Sequence, residues 1–512
     1  MKVRSSSRQI ASPDRLAMTK GALQQDEPMR RSGLLLTFLL VVGLGAQPAS
    51  ADVILHAFEW RYPTVERNAA AIAAAGYKAV LVAPPLKSSR AMGCPWYGRY
   101  QPQDFRVIDN CAGNRQQFVA MIAALQRQGV RVYADVVVNH MANERNNATT
   151  FPGKETLQAY RARPAYWNAQ KLYGSLSDGL FQPRDFHPAA CILDYGNPVS
   201  IVRDRLCDTS PDRQPPDRGL PDLRDTVPGE NWVLDQRRAY VQALFDLGVR
   251  GFRLDAAKHM PNGAIRAFVP DSIADRSHVF AETIVGGGST DGEYQRSLQP
   301  YLAQLPASFG AYDFPLFHVL RNSLAPGGRL SDLADPYGTG NALEARRAVT
   351  FTVTHDIPYN GIFRGLILDP TDERLAYAYI LGRDGGTPLI FDDGSTEKAD
   401  GGRWVGSWKK PWLTPMIAFH NRMQGQPMQV LHADACTLLW RRGSGEAAAG
   451  IVAINKCGVE AAVTVDTDRR FFWNRPYRDS LDPTSTERIS GSRHTFRLPA
   501  RTARLWSVEG PT

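Results

Sequence analysis

The sequence predicts an α/β fold: a closed (β/α)8 TIM barrel, a small domain inserted after the third strand, and a C-terminal all-β sandwich. Three observations predict it. From residue 52 onward, short apolar strands alternate with helices, the rhythm of a parallel sheet or barrel. About eight such strands can be counted, the number that closes a TIM barrel. From about Gly425 the helices stop, and short strand-like runs follow one another with turns between them.

The first 51 residues stand outside this pattern. Met29-Arg30-Arg31 is a basic start, Leu34–Leu44 an apolar core and Ala49-Ser50-Ala51 a small-residue cleavage signal, together a secretory signal peptide. The apolar run is too short for a comfortable transmembrane helix. Residues 1–28 precede the signal, and Met29 is a candidate start. The expected product is secreted or periplasmic, cleaved near Ala51. Cleavage there removes seven Lys/Arg and three Asp/Glu, taking the formal charge from +9 to +5. So mild an excess gives no reason to expect a nucleic-acid partner, and neither a membrane partner nor an oligomer is expected. The chain contains six cysteines. In an exported chain an even count suggests disulfides. Nearest-neighbour pairing (Cys94–Cys111, Cys191–Cys207, Cys436–Cys457) is expected because each pair lies within one local segment. None has metal-ligand spacing, so no zinc site is expected.

In order along the chain, Val53–Phe58 reads as the first strand, Val65–Ala75 as an Ala-rich helix, and Ala79–Ala83 as a strand closed by Pro84-Pro85. Gln116–Gln128 is helical up to Gly129, and Val130–Val138 is the third strand. Residues 141–225 break the rhythm: rich in Pro, Asp and Arg, with few helix-length apolar stripes, they are too long for a loop and read as an inserted domain. The alternation returns with helix Asn231–Leu247 and strands Arg250–Asp255, His278–Glu282, Phe309–Asp313 and Val349–Thr354. A helix near Asp372–Leu381, strand Pro388–Phe391 and a helix around Pro415–Met423 complete the barrel. Residues 52–140 and 226–424 are thus its two parts. In 425–512, Gln429–Leu431, Thr437–Trp440, Gly450–Asn455, Ala461–Val465 and His494–Leu498 read as strands.

Barrel enzymes keep their chemistry where strands end at the C-terminal face. The third strand ends Asp135…Asn139-His140, the fourth Arg253…Asp255, the fifth Glu282 and the seventh His355-Asp356. Within Gly251–Met260, Arg253 and Asp255 share one strand face. A buried face carrying both is costly unless the charges are paired. A structural Arg–Asp pair accounts for that stretch alone, but not for the recurrence of acidic tips on four strands. Clustered carboxylates without a Cys nucleophile or His triad suggest glycosidic bond cleavage, which needs one carboxylate as nucleophile and one carboxylic acid to protonate the leaving oxygen. Crowded like charges in a cleft push the two pKa values apart.

These residues carry a family resemblance. Asp135-Val-Val-Val-Asn139-His140, Gly251-Phe-Arg-Leu-Asp255, Glu282 after a strand, and Thr354-His355-Asp356 resemble the four short sequence regions of the alpha-amylase family, glycoside hydrolase family thirteen. His56-Ala-Phe-Glu-Trp60 and Pro95-Trp96-Tyr-Gly-Arg-Tyr100-Gln101-Pro102 are similar to segments of its animal-type members. The resemblance covers roughly residues 52–425. It implies that Asp255 is the nucleophile, Glu282 the general acid/base and Asp356 the transition-state stabiliser. By the same carry-over, His140, Arg253 and His355 line the sugar subsite beside the cleaved bond, with Tyr100 stacked on that sugar and Gln101 beside it. Trp96 and Tyr97 become an aromatic platform for neighbouring glucose units, and Lys258 and His259 contact the leaving-group side.

The resemblance also implies calcium as a cofactor. Asn139, Asp222 and the backbone carbonyl of His259 match its ligands, oxygen donors that suit this ion. A chloride site, which animal-type members often have, is not expected, because Thr354 replaces the usual Asn and Pro388 falls near the later basic position. The function implied is retaining endo-hydrolysis of α-1,4-glucosidic bonds in starch, glycogen and maltooligosaccharides. Exo-release of maltooligosaccharides or transglycosylation would use the same residues, and the sequence leaves these open. A non-catalytic glucan-binding barrel would be expected to lack at least one of the three carboxylates, and all are present.

Overall fold

The computed structural model describes residues 52–88, 90, 93–144, 148–207, 219–225, 231–443, 449–467 and 475–508. The predicted signal peptide lies outside the described residues. Eight strands close the barrel: β1 (Ile54–Phe58), β2 (Ala79–Val82), β3 (Arg131–Val136), β4 (Val249–Leu254), β5 (His278–Ala281), β6 (Phe309–Tyr312), β7 (Ala348–Thr350) and β8 (Thr387–Asp393). Every neighbouring pair is parallel, and β8 returns to β1. The strands read as near-continuous apolar runs because side chains on both their faces are buried, as in parallel sheets generally.

Register is what positions the site. Asp135 on β3 lies opposite Arg253 on β4, and Leu254 lies opposite Ala281 on β5. The ladder runs one residue past each strand: Asp255 N–H donates to Val136 O (3.0 Å) and Glu282 N–H to Leu254 O (2.9 Å). Asp255 and Glu282 therefore sit one step beyond the strand ends, level with each other, rather than inside the strands as the sequence suggested. The strand expected at Val349–Thr354 stops at Thr350, so His355-Asp356 is reached through four residues of irregular chain.

The barrel helices carry their own signals. Helix Tyr62–Ala74 has proline in its first turn, where no N–H is missed. Helix Arg115–Arg127 opens with a reciprocal capping box between Asn114 and Gln117. Helix Phe314–Leu324, with no counterpart in the sequence reading, follows β6 directly and is capped by Asp313, whose side chain accepts from Leu316 N–H.

Between β3 and helix Trp232–Asp246, the described residues of the inserted segment carry three short α-helices, Lys154–Ala162, Pro164–Gln170 and Pro198–Arg203. Its Phe151, Phe181, Phe186 and Leu223 join the main barrel core. A separate small cluster, Val107, Tyr160 and Trp167, holds its outer part. The segment returns to the barrel at an isolated bridge between His140 and Asp222. All three disulfides pair nearest neighbours.

C-terminal to the barrel, a six-stranded antiparallel sheet faces a two-stranded one over a second apolar core that includes Leu439, Ile451, Val463, Phe496 and Trp506. Strands Pro476–Asp479, Thr486–Arg488 and Thr502–Val508 add to those read from the sequence. Buried cations dock this domain onto exposed ends of barrel helices. Lys456 Nζ donates to the carbonyls of Ser323 (2.7 Å), Ala325 (3.0 Å) and Gly328, and Arg442 to those of Gly382 (2.8 Å) and Met423 (2.8 Å). Carbonyls left unpaired at a helix C-terminus attract such donors.

Candidate active site

At the C-terminal face of the barrel a cleft of about 560 Å³ is lined by Asp255, Glu282 and Asp356. Trp96, Tyr97, Tyr100, Gln101, His140, Lys258, His259 and His355 line the same cleft. Every residue expected to touch substrate therefore faces one cavity except Arg253, which lies beneath it, 1% exposed.

Arg253 organises the floor. Its Nη1 donates to Asp135 Oδ1 (2.6 Å) and Asp255 Oδ1 (2.7 Å), and its Nη2 to Glu282 Oε1. The strand alternation that put Arg253 and Asp255 on one face, with the β3–β4–β5 register, brings three carboxylates to one guanidinium. Its planar fork suits this role better than a lysine point charge. Ala256, directly after Asp255, takes a left-handed conformation (φ 49°). A non-glycine residue held there stores backbone strain. The turn aims the Ala256 N–H at Glu282 Oε2 (3.1 Å) and starts the short helical turn carrying Lys258 and His259.

Burial governs the electrostatics. It pushes the Glu282 carboxyl up to about 8, against the lowering by Arg253, with Asp356 and Asp255 adding to the rise. Burial likewise raises Asp135 to about 7, again opposed by Arg253. Asp356 is raised chiefly by burial, again opposed by Arg253. Burial holds His355 well below the usual imidazole range and lowers His140. Both rings are thus kept neutral and suited to hydrogen bonding with hydroxyls.

Aromatic packing fixes the rest. Tyr100 stacks face to face on His355 (5.2 Å, 6°), and its hydroxyl donates to Asp135 Oδ2 (3.0 Å). His140 Nε2 lies 3.0 Å from Tyr100 O, and Gln101 Oε1 accepts from Asn143 N–H (3.1 Å). Trp96 and Tyr97 meet edge to face (6.0 Å, 84°), a corner rather than a flat platform. On the other wall, Lys258 Nζ bonds Glu293 Oε1 (3.0 Å) and lies over Tyr195 of the inserted segment (5.2 Å).

Several of these residues escaped the sequence reading. Asp135 was visible as a strand end, and its register opposite Arg253 was the signal of its role. Tyr195 and Asn360 come from turns and Glu293 from the first turn of a helix, and nothing in their local sequence marks them as cleft residues. Asn139 and Asp222, expected as calcium ligands, meet behind the cleft, where Asn139 Nδ2 donates to Asp222 Oδ1 (2.8 Å). His259 Nδ1 lies 3.0 Å from Ile201 O of the insert. Among the described residues no group of three or more His, Cys, Asp or Glu is arranged to hold a metal.

No family model matches the chain. Curated relatives do. An alpha-amylase from Aeromonas hydrophila is 46% identical over 468 residues, 90% of this chain and 97% of that protein. An alpha-amylase from Thermomonospora curvata is 27% identical over 521 residues, covering 93% of this chain and 77% of that one. Among solved structures, alpha-amylase I from Eisenia fetida in complex with maltohexaose superposes with a TM-score of 0.70 at 23% identity, over 90% of this chain and 98% of that chain. That likeness carries the fold, and the Aeromonas hydrophila relative carries the family. This chain belongs to the alpha-amylase family and is a glycoside hydrolase.

Proposed function

We propose that the protein is an exported, retaining endo-hydrolase of α-1,4-glucosidic bonds in starch, glycogen and maltooligosaccharides, acting as a monomer. One observation carries the mechanism: Asp255 and Glu282 grip the same guanidinium, while Glu282 is raised to about 8. Sharing one fork holds the two carboxyl groups close together, which favours the retaining route, whose carboxyl groups stand about 5–5.5 Å apart, over the inverting one, which needs room for a water between them. At neutral pH Glu282 holds its proton and serves as the acid.

Asp255 attacks the anomeric carbon as the bond to the leaving oxygen breaks, and Glu282 gives that oxygen its proton. The product is an ester of the sugar with Asp255. Glu282, now a carboxylate, takes a proton from water as the water oxygen displaces Asp255. Asp356 stabilises positive charge on the ring during both steps. His140, His355 and Tyr100 position the reacting sugar, with Gln101 beside it. Trp96 and Tyr97 hold neighbouring units, and Lys258 and His259 the leaving side.

Calcium fits the residues behind the cleft. Asp222 is 2% exposed, and burial raises it well above the usual range. The nearby Arg237 is bonded to Asp225 instead (2.8 Å). His187 Nε2 lies 3.9 Å from Asp222 Oδ2, but burial lowers that ring, and a buried carboxylate so placed suits a hard ion. A half-turn of the Asn139 amide would present its oxygen to the same point, and the His259 carbonyl would complete the contact. Calcium there would neutralise Asp222 and fasten the insert to the barrel. The three disulfides support export, and no helix of the described residues is long and apolar enough to cross a membrane.

The test is product analysis on soluble starch, wild type beside Glu282→Gln. Rapid loss of iodine colour with mixed oligosaccharides, abolished in the variant, is the expected result. A single small product or cyclic glucans would overturn the endo-hydrolytic reading.

A further inference from the structure

The turn that follows Asp356 carries a feature the mechanism does not use. Ile362 is 77% exposed, yet it lines the cleft together with half-buried Phe363 and with Tyr97, which is 44% exposed. A lone exposed isoleucine needs no explanation, but apolar side chains gathered at the rim of a cleft mark a contact surface. The same turn buries its other apolar residues: Leu366 and Ile367 pack on the barrel core, and Leu368 belongs to it.

The mount is rigid. Asn360 N–H donates to Asp356 O (2.8 Å), and Asn360 Oδ1 accepts from Ile362 N–H (3.3 Å). Tyr359 packs on Trp96 (5.6 Å) and donates to Asp393 Oδ2 (2.8 Å). Arg321 Nη2 holds the far end through Gly365 O (2.8 Å). Ile362 thus rides on a turn tied at one end to Asp356 and along its length to the Trp96 wall, whereas Lys258 is built into the wall with Tyr195 and Glu293.

We infer that Ile362 and Phe363 determine chain-length specificity: with Tyr97 they grip the apolar faces of glucose units beyond the second from the scissile bond, on the Trp96 side of the cleft. This rests on the α-1,4-glucan reading above. A preordered apolar contact of this kind favours long chains, because a short substrate never reaches it.

The experiment compares wild type, Ile362→Ser and Phe363→Ala on maltoheptaose and on an aryl maltoside. Because Ile362 is so exposed, its substitution leaves the core intact. The expected result is a fall of about fivefold to tenfold in the ratio of kcat/KM for maltoheptaose to that for the maltoside, through KM rather than kcat, the size of one lost apolar contact. An unchanged ratio in an active enzyme overturns this inference alone. A wild type inactive on both substrates overturns the α-1,4-glucan reading and this inference with it.

Discussion

Replacing Arg253 with glutamine should leave Asp135, Asp255 and Glu282 buried without the cation that joins them. Arg253 is 1% exposed and bonds two of them at 2.6 and 2.7 Å and the third directly. Breaking a buried ion pair by removing one partner costs about 3–5 kcal/mol, and here one partner serves three carboxylates. The cost should depend on pH, with a definite sign. Asp135 and Glu282 are held at about 7 and about 8, above the ordinary value near 4. The native state therefore keeps protons that the unfolded chain gives up, so stability contributed by these groups is present below about pH 4 and is lost as pH rises towards 7 and 8. Removing Arg253 raises both carboxyls further, steepening that loss. The assay is the guanidinium midpoint of wild type, Arg253→Lys and Arg253→Gln at pH 5, 6.5 and 8. The gap between wild type and Arg253→Gln should widen with pH, with the lysine variant, which keeps the charge but not the fork, between them. Parallel curves would refute the reasoning. In kcat/KM the glutamine variant should lose at least about a hundredfold, as misplaced reacting groups do.

Three further outcomes follow from the site. The alkaline limb of kcat/KM should fall through about pH 8 as Glu282 gives up its proton, and in Glu282→Gln a maltosyl fluoride, whose leaving group needs no acid, should restore the first step. Tyr100→Phe loses only the hydroxyl bond to Asp135 and should cost about 1 kcal/mol, whereas Tyr100→Ala also loses the stack on His355 and should cost about a hundredfold or more in kcat/KM. Adding calcium after chelation should restore the melting temperature of wild type but not of Asp222→Asn, and titration calorimetry should register the ion only with wild type.

The barrel was legible because its strands are apolar runs that end near charged residues, which drew attention to Asp255 and Glu282; Asp356 lies beyond irregular chain after β7 and was legible through the resemblance of Thr354-His355-Asp356. The pairing of Asp135 with Arg253 was not, since it is set by register between strands 118 residues apart in sequence. Helix Phe314–Leu324 was missed because it starts two residues after β6, with Pro315 in its first turn, so no linker separates strand from helix. In the C-terminal domain, Pro476–Asp479 and Thr486–Arg488 are short and mostly polar, as strands near a sheet edge are. Cleft walls such as Tyr195, Glu293 and Ile362 come from turns and short helical segments between the barrel strands, whose course depends on what they pack against rather than on local pattern.

The most direct test of the central claim is to trap the intermediate. The enzyme is incubated with a 5-fluoro-maltosyl fluoride, whose ring fluorine slows the second step, then digested and mapped by mass spectrometry. The account predicts one adduct, an ester on Asp255 in the peptide carrying Gly251–Met260. Time-dependent inactivation with the sugar on another residue, or turnover of the reagent with no adduct and inversion at the anomeric carbon, would contradict it.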